Sequence, residues 1–267
     1  MTSQLHKLAV ITGAADGIGL ATAQCLVASG WQVALFDMNG ELAKARAHTL
    51  GAHHSGWACD VTDPQAVQHC VAELQEAHGH IHALVNNAGI GDQTAPTLQQ
   101  DVNAFDRVLA VHLRGTFLMS QHVIKTMAQQ PRDEKGVRGA IVNIGSIASV
   151  GGIPGRNAYC AAKAGVLGMT RALASEWARQ GIRVNAVAPG YVKTALVAKL
   201  AKQGVIDGHA IARRTPMGRM AEPEEIAQSI AFLVSPQASY ITGAVLPVDG
   251  GWTALGAPDS ALGPIEV

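Results

Sequence analysis

The sequence predicts an α/β fold with a parallel sheet covered by helices on both faces, and two observations carry that prediction. Apolar strand-like runs recur: LAVITG (8–13), QVALFD (32–37), SGWACDV (55–61), HALVNNAG (82–89), GAIVNIGS (139–146), IRVNAVAPG (182–190) and AVLPVDGG (244–251). Segments of helical periodicity separate most of them, among them ATAQCLVASG, PQAVQHCVAELQEAHG and AGVLGMTRALASEWARQG, the last two ending in the glycine that commonly closes a helix. Strands alternating with helices pair in parallel, because each crossover helix returns the chain to the same end of the sheet.

The first strand ends in TGAADGIG, with Gly13, Gly17 and Gly19, and a helical pattern follows at once. Glycines there allow a tight turn and close approach of the backbone. The free N–H groups and positive dipole end of the following helix suit a diphosphate. The second strand ends in Asp37, where a carboxylate can accept hydrogen bonds from an adenosine ribose diol and would repel a 2′-phosphate. Neither Ala15 nor Met38 supplies a compensating cation, so NAD is preferred over NADP. Asp60 and Val61 end the third predicted strand, where they could meet the adenine edge. A strand-end Asp can equally cap the next helix.

Two stretches interrupt the rhythm. QQPRDEKGVRG (129–139) is charged and reads as a surface loop. Residues 191–222 form a long insertion past the end of a strand, where α/β proteins keep their ligand loops, and are expected to cover the substrate. The tail, 253–267, is rich in Gly and Pro and could be disordered or reach a neighbouring subunit.

A chain of 267 residues, 48% hydrophobic and 15% charged, can bury one full core, so a single domain is expected over 1–267. Twenty basic residues balance twenty acidic ones. With no net field to attract nucleic acid or an anionic membrane, the expected partners are small molecules or copies of the chain. No basic leader and no apolar run of spanning length is seen, so a cytoplasmic protein is expected. Cys25, Cys59, Cys70 and Cys160 lack metal-ligand spacing and read as reduced thiols. The histidines of HGHIH (78–82) read as a solvated surface turn, and no metal is expected.

The most informative stretch is YCAAK (159–163). On a helix, Tyr159 and Lys163 lie one turn apart on one face, a phenol beside an ammonium group. Together with TGxxxGIG at 12–19, NNAG at 86–89, Ser146 and PGYVKT at 189–194, it gives five ordered motifs from about Leu8 to Trp252. In these the chain resembles the short-chain dehydrogenases/reductases.

The resemblance implies a Rossmann-type doubly wound sheet of seven or so strands, a homotetramer, and hydride transfer to or from a nicotinamide. It implies that Tyr159 moves the substrate proton, with a pKa brought down from about 10 by the Lys163 ammonium and the oxidised cofactor. Lys163 would also hold the nicotinamide ribose, and Ser146 would hydrogen-bond the reacting oxygen. Further cofactor contacts are implied for Asp16 and Ile18 in the turn and for Asn87, Ala88 and Gly89. Pro189, Gly190, Val192 and Thr194 would shape and contact the nicotinamide end.

One departure stands out. His112 occupies a position where most members carry Asn, and a neutral imidazole there could relay protons or simply pack. The leading expectation is an NAD-dependent dehydrogenase of a polyol, diol or other small secondary alcohol. A 3-oxoacyl reductase or 3-hydroxyacyl dehydrogenase is the alternative, and a non-catalytic dinucleotide sensor is a remote one. Lys193, Lys199, Lys202, Arg213 and Arg214 are read as solvated helix faces.

Overall fold

The computed structural model describes residues 7–263 other than 203 and 205. Within them, seven strands form one parallel sheet in the order β3-β2-β1-β4-β5-β6-β7. The strands are β1 (Leu8–Thr12), β2 (Gln32–Asp37), β3 (Ser55–Ala58), β4 (Ala83–Asn86), β5 (Gly139–Ile144), β6 (Ile182–Pro189) and β7 (Val245–Val248). The central strands are buried throughout, which is why they read as continuous apolar runs rather than as alternating ones.

Alternate residues of each strand feed opposite faces. Leu8 and Val10 pack into a core with α3 (Pro64–His78), α5 (Gly115–Gln129) and α6 (Asn157–Trp177). Ala9 and Ile11 pack into a second core with α1 (Gly17–Ala28), α2 (Gly40–Leu50) and α9 (Pro223–Val234). α3 is capped by Asp63 and stopped by Gly79 at φ 74°; α6 runs into a short 3-10 turn that Gly181 closes at φ 79°. α4 (Val102–Leu109) continues into α5 through a π-helical turn at Ala110–Arg114, a bulge that the periodicity does not reveal.

Two strands end earlier than their apolar runs. β3 stops at Ala58 because Asp60 turns the chain, its Oδ1 accepting from the Thr62 N–H and hydroxyl at 2.8 Å each. β4 stops at Asn86 because the N–H groups of Asn87 and Ala88 both donate to Thr12 Oγ1 at 3.0 Å instead of to a strand.

Residues 191–222 leave the sheet as an excursion with a paired neck: the Lys193 N–H donates to Ala221 O, and the Ala221 N–H to Tyr191 O, both at 2.9 Å. The excursion carries α7 (Ala195–Lys202) and α8 (Gly208–Arg214). Arg214 is not a solvated cation. It lies over the Trp252 ring at 4.8 Å and donates to the Trp252 and Leu255 carbonyls, holding the start of the tail against α8. Residues 264–267 of the tail lie outside the described residues. No helix among the described residues is long and apolar enough to cross a membrane.

Cys59 and Cys70 are buried and all four cysteines are free. His82 corrects the reading of a fully solvated turn. Its Nδ1 accepts the Leu8 N–H at 3.1 Å, and burial, with help from His80 and Lys7, lowers its pKa to about 4. An unfolded chain would protonate His82 near its ordinary pKa, so its contribution to stability is complete above about pH 6.5 and is lost as pH falls toward 4. His82→Gln keeps an acceptor for Leu8. Urea midpoints against pH are predicted to show it losing less stability than the parent over that window, by on the order of 1–2 kcal/mol after allowance for partial exposure.

Candidate active site

Most candidate site residues come from the carboxyl-terminal edge of the sheet or the turns just beyond it, while Tyr159 and Lys163 come from α6 and His112 from the π-helical turn. The turn after β1 is one part. Gly13 takes φ 62°, in the left-handed region, and a Cβ on Gly19 would collide with the Gly13 carbonyl and with Asn87. Asn87 braces this turn, its Nδ2 donating to the Thr12 and Gly13 carbonyls at 2.9 Å. Asp16 caps α1 by accepting from the Gly17 N–H, and Ile18 packs half-buried into the α1 side of the sheet. Beyond β6, Pro189 is buried and Gly190 lies tight against Asp249. Val192 forms part of the paired neck, and Thr194 sits against Gly17.

Asp37 lies beside the turn. Its two carboxylate oxygens accept from the Ala15 N–H at 3.1 Å and the Asn39 N–H at 2.9 Å, which fixes the group and leaves lone pairs for another donor. Arg46, which sequence reading missed, reaches across from α2 and donates to Ala15 O at 3.3 Å. Asp60 faces solvent with its Oδ1 taken by Thr62, and Val61 is buried against Gly115.

The second part is the cluster around Tyr159. α6 begins at Asn157, so Tyr159 and Lys163 stand one turn apart near its start, and the Tyr159 N–H donates to Asp92 Oδ2 at 3.1 Å. Ser146 follows β5 and caps a short 3-10 turn. Its Oγ accepts the Ala148 N–H at 3.1 Å, and its hydroxyl lies close enough to the Tyr159 phenol to lower that group's pKa. Lys163 is buried, 5.8 Å from the Tyr159 ring centre, and its Nζ donates to Ile144 O at 2.6 Å. Burial lowers its pKa to about 8, so it is mostly cationic at neutral pH.

Tyr159 differs from expectation. Burial pushes its pKa above the ordinary phenol value, while the neighbouring Ser146 hydroxyl and the Arg156 charge pull it down. The Arg156 guanidinium lies over the Tyr159 ring at 4.4 Å, another contact the sequence reading missed.

His112 sits in the π-helical turn and meets the Tyr159 ring edge-on, with centroids 5.3 Å apart. Its Nε2 lies 3.0 Å from Ile90 O and 3.2 Å from Ile90 N, and its Nδ1 is buried without a partner. Burial, and then the Lys163 charge, lower its pKa to about 3, so the ring is neutral. Gly89 makes room for it, since a Cβ there would come within 2.6 Å of the imidazole.

Under the cluster runs a buried polar chain. Asn86 Nδ2 donates to Asn143 Oδ1 at 2.8 Å, and Asn143 Nδ2 to Thr170 Oγ1 at 2.9 Å, tying β4, β5 and α6 together. A recess of about 580 Å³ lies at the opposite edge of the sheet, among Lys7, His82, Arg138 and Arg183, and contains none of these groups. Arg138 and Arg183 there are already bonded to backbone carbonyls.

Residues 13–253 match the family model described as enoyl-(acyl carrier protein) reductase. The chain belongs to the short-chain dehydrogenase/reductase family. It is therefore an oxidoreductase of a family that works with a nicotinamide cofactor.

The chain is 43% identical to the cis-4-hydroxycyclohexanecarboxylate dehydrogenase of Sinomonas cyclohexanicum, covering 94% of this chain and 98% of that protein. It is 42% identical to the D-threitol dehydrogenase of Mycolicibacterium smegmatis, with 92% and 93% covered. An uncharacterized short-chain type dehydrogenase/reductase of Sinorhizobium fredii is 42% identical over 97% of this chain, which spans 46% of that relative's length. Among solved structures, ElxO with NADP bound superposes at TM-score 0.86 with 30% identity, over 94% of this chain and 100% of that one.

Proposed function

We propose that the chain is an NAD-dependent dehydrogenase that interconverts a small secondary alcohol, of the polyol, diol or hydroxy-compound class, and its ketone. The observation that carries this reading is the Tyr159 phenol beside the Ser146 hydroxyl, with the buried ammonium of Lys163 5.8 Å from its ring centre. The threitol and hydroxycyclohexanecarboxylate dehydrogenases named above, both acting on hydroxyl-bearing substrates, support it.

The residues present fit a dinucleotide. The space over Gly13 and Gly19, which a Cβ would fill, and the free N–H groups at the start of α1 would take its diphosphate. Asp37 would take the adenosine ribose diol, and Lys163 the nicotinamide ribose. Asn87, Ala88, Gly89, Val192 and Thr194 line the path between. When bound, the nicotinamide supplies the hydride acceptor or donor.

In the oxidising direction the alcohol proton moves to Tyr159 Oη as hydride leaves the carbinol carbon. Ser146, whose Oγ already accepts from Ala148, uses its O–H to hold the reacting oxygen. The phenolate is the active form for oxidation; the Ser146 hydroxyl and the Arg156 charge favour it against the effect of burial, and the Lys163 ammonium stands 5.8 Å from the ring centre.

His112 serves the relay as a neutral hydrogen-bond acceptor that orders the proton's exit without taking the proton itself. With Nε2–H donated to Ile90 O, its neutral ring presents Nδ1 as a free acceptor close enough to feel the Lys163 charge. The excursion at 191–222 covers the substrate. An open apolar groove lined by Leu109, Leu113, Phe117 and Met169 offers a face for assembly into a homotetramer.

A 3-oxoacyl reductase using NADP is the second reading, favoured by the Arg46 cation at the turn and by the NADP in ElxO. Titration with NADH and NADPH, followed by nicotinamide fluorescence, separates the two. The expected result is NADH binding at least about tenfold tighter, with Asp37→Ser reducing that preference by a further order of magnitude or so. Tighter NADPH would overturn the NAD assignment. His112→Phe fills the same space without a ring nitrogen and is predicted to lower kcat on the order of tenfold or more while NADH affinity stays within about threefold. An unchanged kcat would reduce His112 to packing.

A further inference from the structure

Arg156 lends the phenol a positive charge but moves no proton itself, and that role leaves its hydrogen-bond donors unused. It stands at the entrance to α6, three residues before Tyr159, with its guanidinium carbon 4.4 Å from the Tyr159 ring centre. The residue is half-buried and its Nε–H is buried with no acceptor. Among the described residues no carboxylate lies within ion-pair distance of it. The carboxylate of Asp92 is held at the Tyr159 backbone N–H through Oδ2, and its Oδ1 is itself without a partner.

A guanidinium whose Nε–H is buried without an acceptor is unfavourable unless something else supplies one. Stacking on the tyrosine face fixes the group while leaving the donors at its edge free, and a planar fork of donors matches a carboxylate. The phenol that receives the alcohol proton is on the same ring, so whatever accepts from Arg156 lies close to the reacting carbon.

We propose that Arg156 is a specificity residue that binds an anionic group, a carboxylate in the simplest case, carried by the alcohol substrate a few bonds from the carbinol carbon. This rests on the alcohol dehydrogenase reading above and narrows it to hydroxy acids and their anionic analogues. A bound carboxylate gives the half-buried charge its counter-ion and satisfies the Nε–H. By fixing the substrate at two points it also selects the enantiomer whose single carbinol hydrogen faces the nicotinamide.

The test compares β-hydroxybutyrate and hydroxycyclohexanecarboxylate, each beside its own carboxamide, with cyclohexanol and propanediol as neutral alcohols. Nicotinamide absorbance is followed at one fixed pH in the parent protein, Arg156→Gln and Arg156→Lys. The parent is expected to favour each carboxylate over its carboxamide in kcat/KM by on the order of 10- to 100-fold, chiefly through KM. Arg156→Gln should erase that ratio and Arg156→Lys should keep part of it. Because both members of a pair react through the same Tyr159, their ratio cancels any effect of the Arg156 charge on the phenol.

A parent enzyme that prefers the carboxamides or turns over only the neutral alcohols would overturn the assignment while leaving the dehydrogenase reading intact. So would an Arg156→Gln variant with the parent's ratio, which would reduce Arg156 to steadying Tyr159 or pairing with Asp92. No turnover of any alcohol by the parent would defeat the dehydrogenase reading itself, and this inference with it.

Discussion

The site is organised around a lysine ammonium buried without a carboxylate. Lys163 is 5% exposed and its Nζ bonds the carbonyl that ends β5. Burying a cation in this way is unfavourable, and its depressed pKa registers the penalty. The fold tolerates it because α6 is anchored on both sides. The chain Asn86–Asn143–Thr170 ties the helix to the two central strands, and Asp92 holds its first turn through the Tyr159 N–H. With the helix fixed, Lys163, Tyr159 and Ser146 cannot drift apart. The charge then acts on its neighbours: it adds to the burial that keeps His112 neutral and lies near the phenol that a base-catalysed step needs ionised.

Much of this was legible in the sequence because it follows from periodicity and spacing. Buried parallel strands must be apolar along their whole length, so seven runs mark seven strands. The i, i+4 spacing of Tyr159 and Lys163 places them on one helix face wherever that helix packs. The illegible features depend on side-chain contacts that apolar periodicity does not record, most of them between segments far apart in sequence. β3 and β4 end early because Asp60 and Thr12 capture backbone N–H groups, and an apolar run carries no sign of that. Arg46 reaching Ala15 and Asn87 bracing the glycine turn are likewise contacts between distant segments.

The direction of the Tyr159 shift was missed for a different reason. Spacing shows which charge is near, but desolvation depends on how completely Ser146, His112 and Arg156 surround the ring. Arg156 itself stands at i−3 from Tyr159, a spacing that signals a neighbour on the same helix face, yet only the structure shows the stacked guanidinium and its orphaned Nε–H.

The central claim is that Tyr159 Oη carries the substrate proton, and Tyr159→Phe tests it most directly, because the change removes one oxygen and leaves the ring between Arg156 and His112. The account predicts a loss of kcat on the order of a thousandfold with NADH affinity within about threefold of the parent, and loss of the parent's rise in oxidation rate with increasing pH. A variant that retained kcat within about tenfold, with the same pH profile, would contradict it.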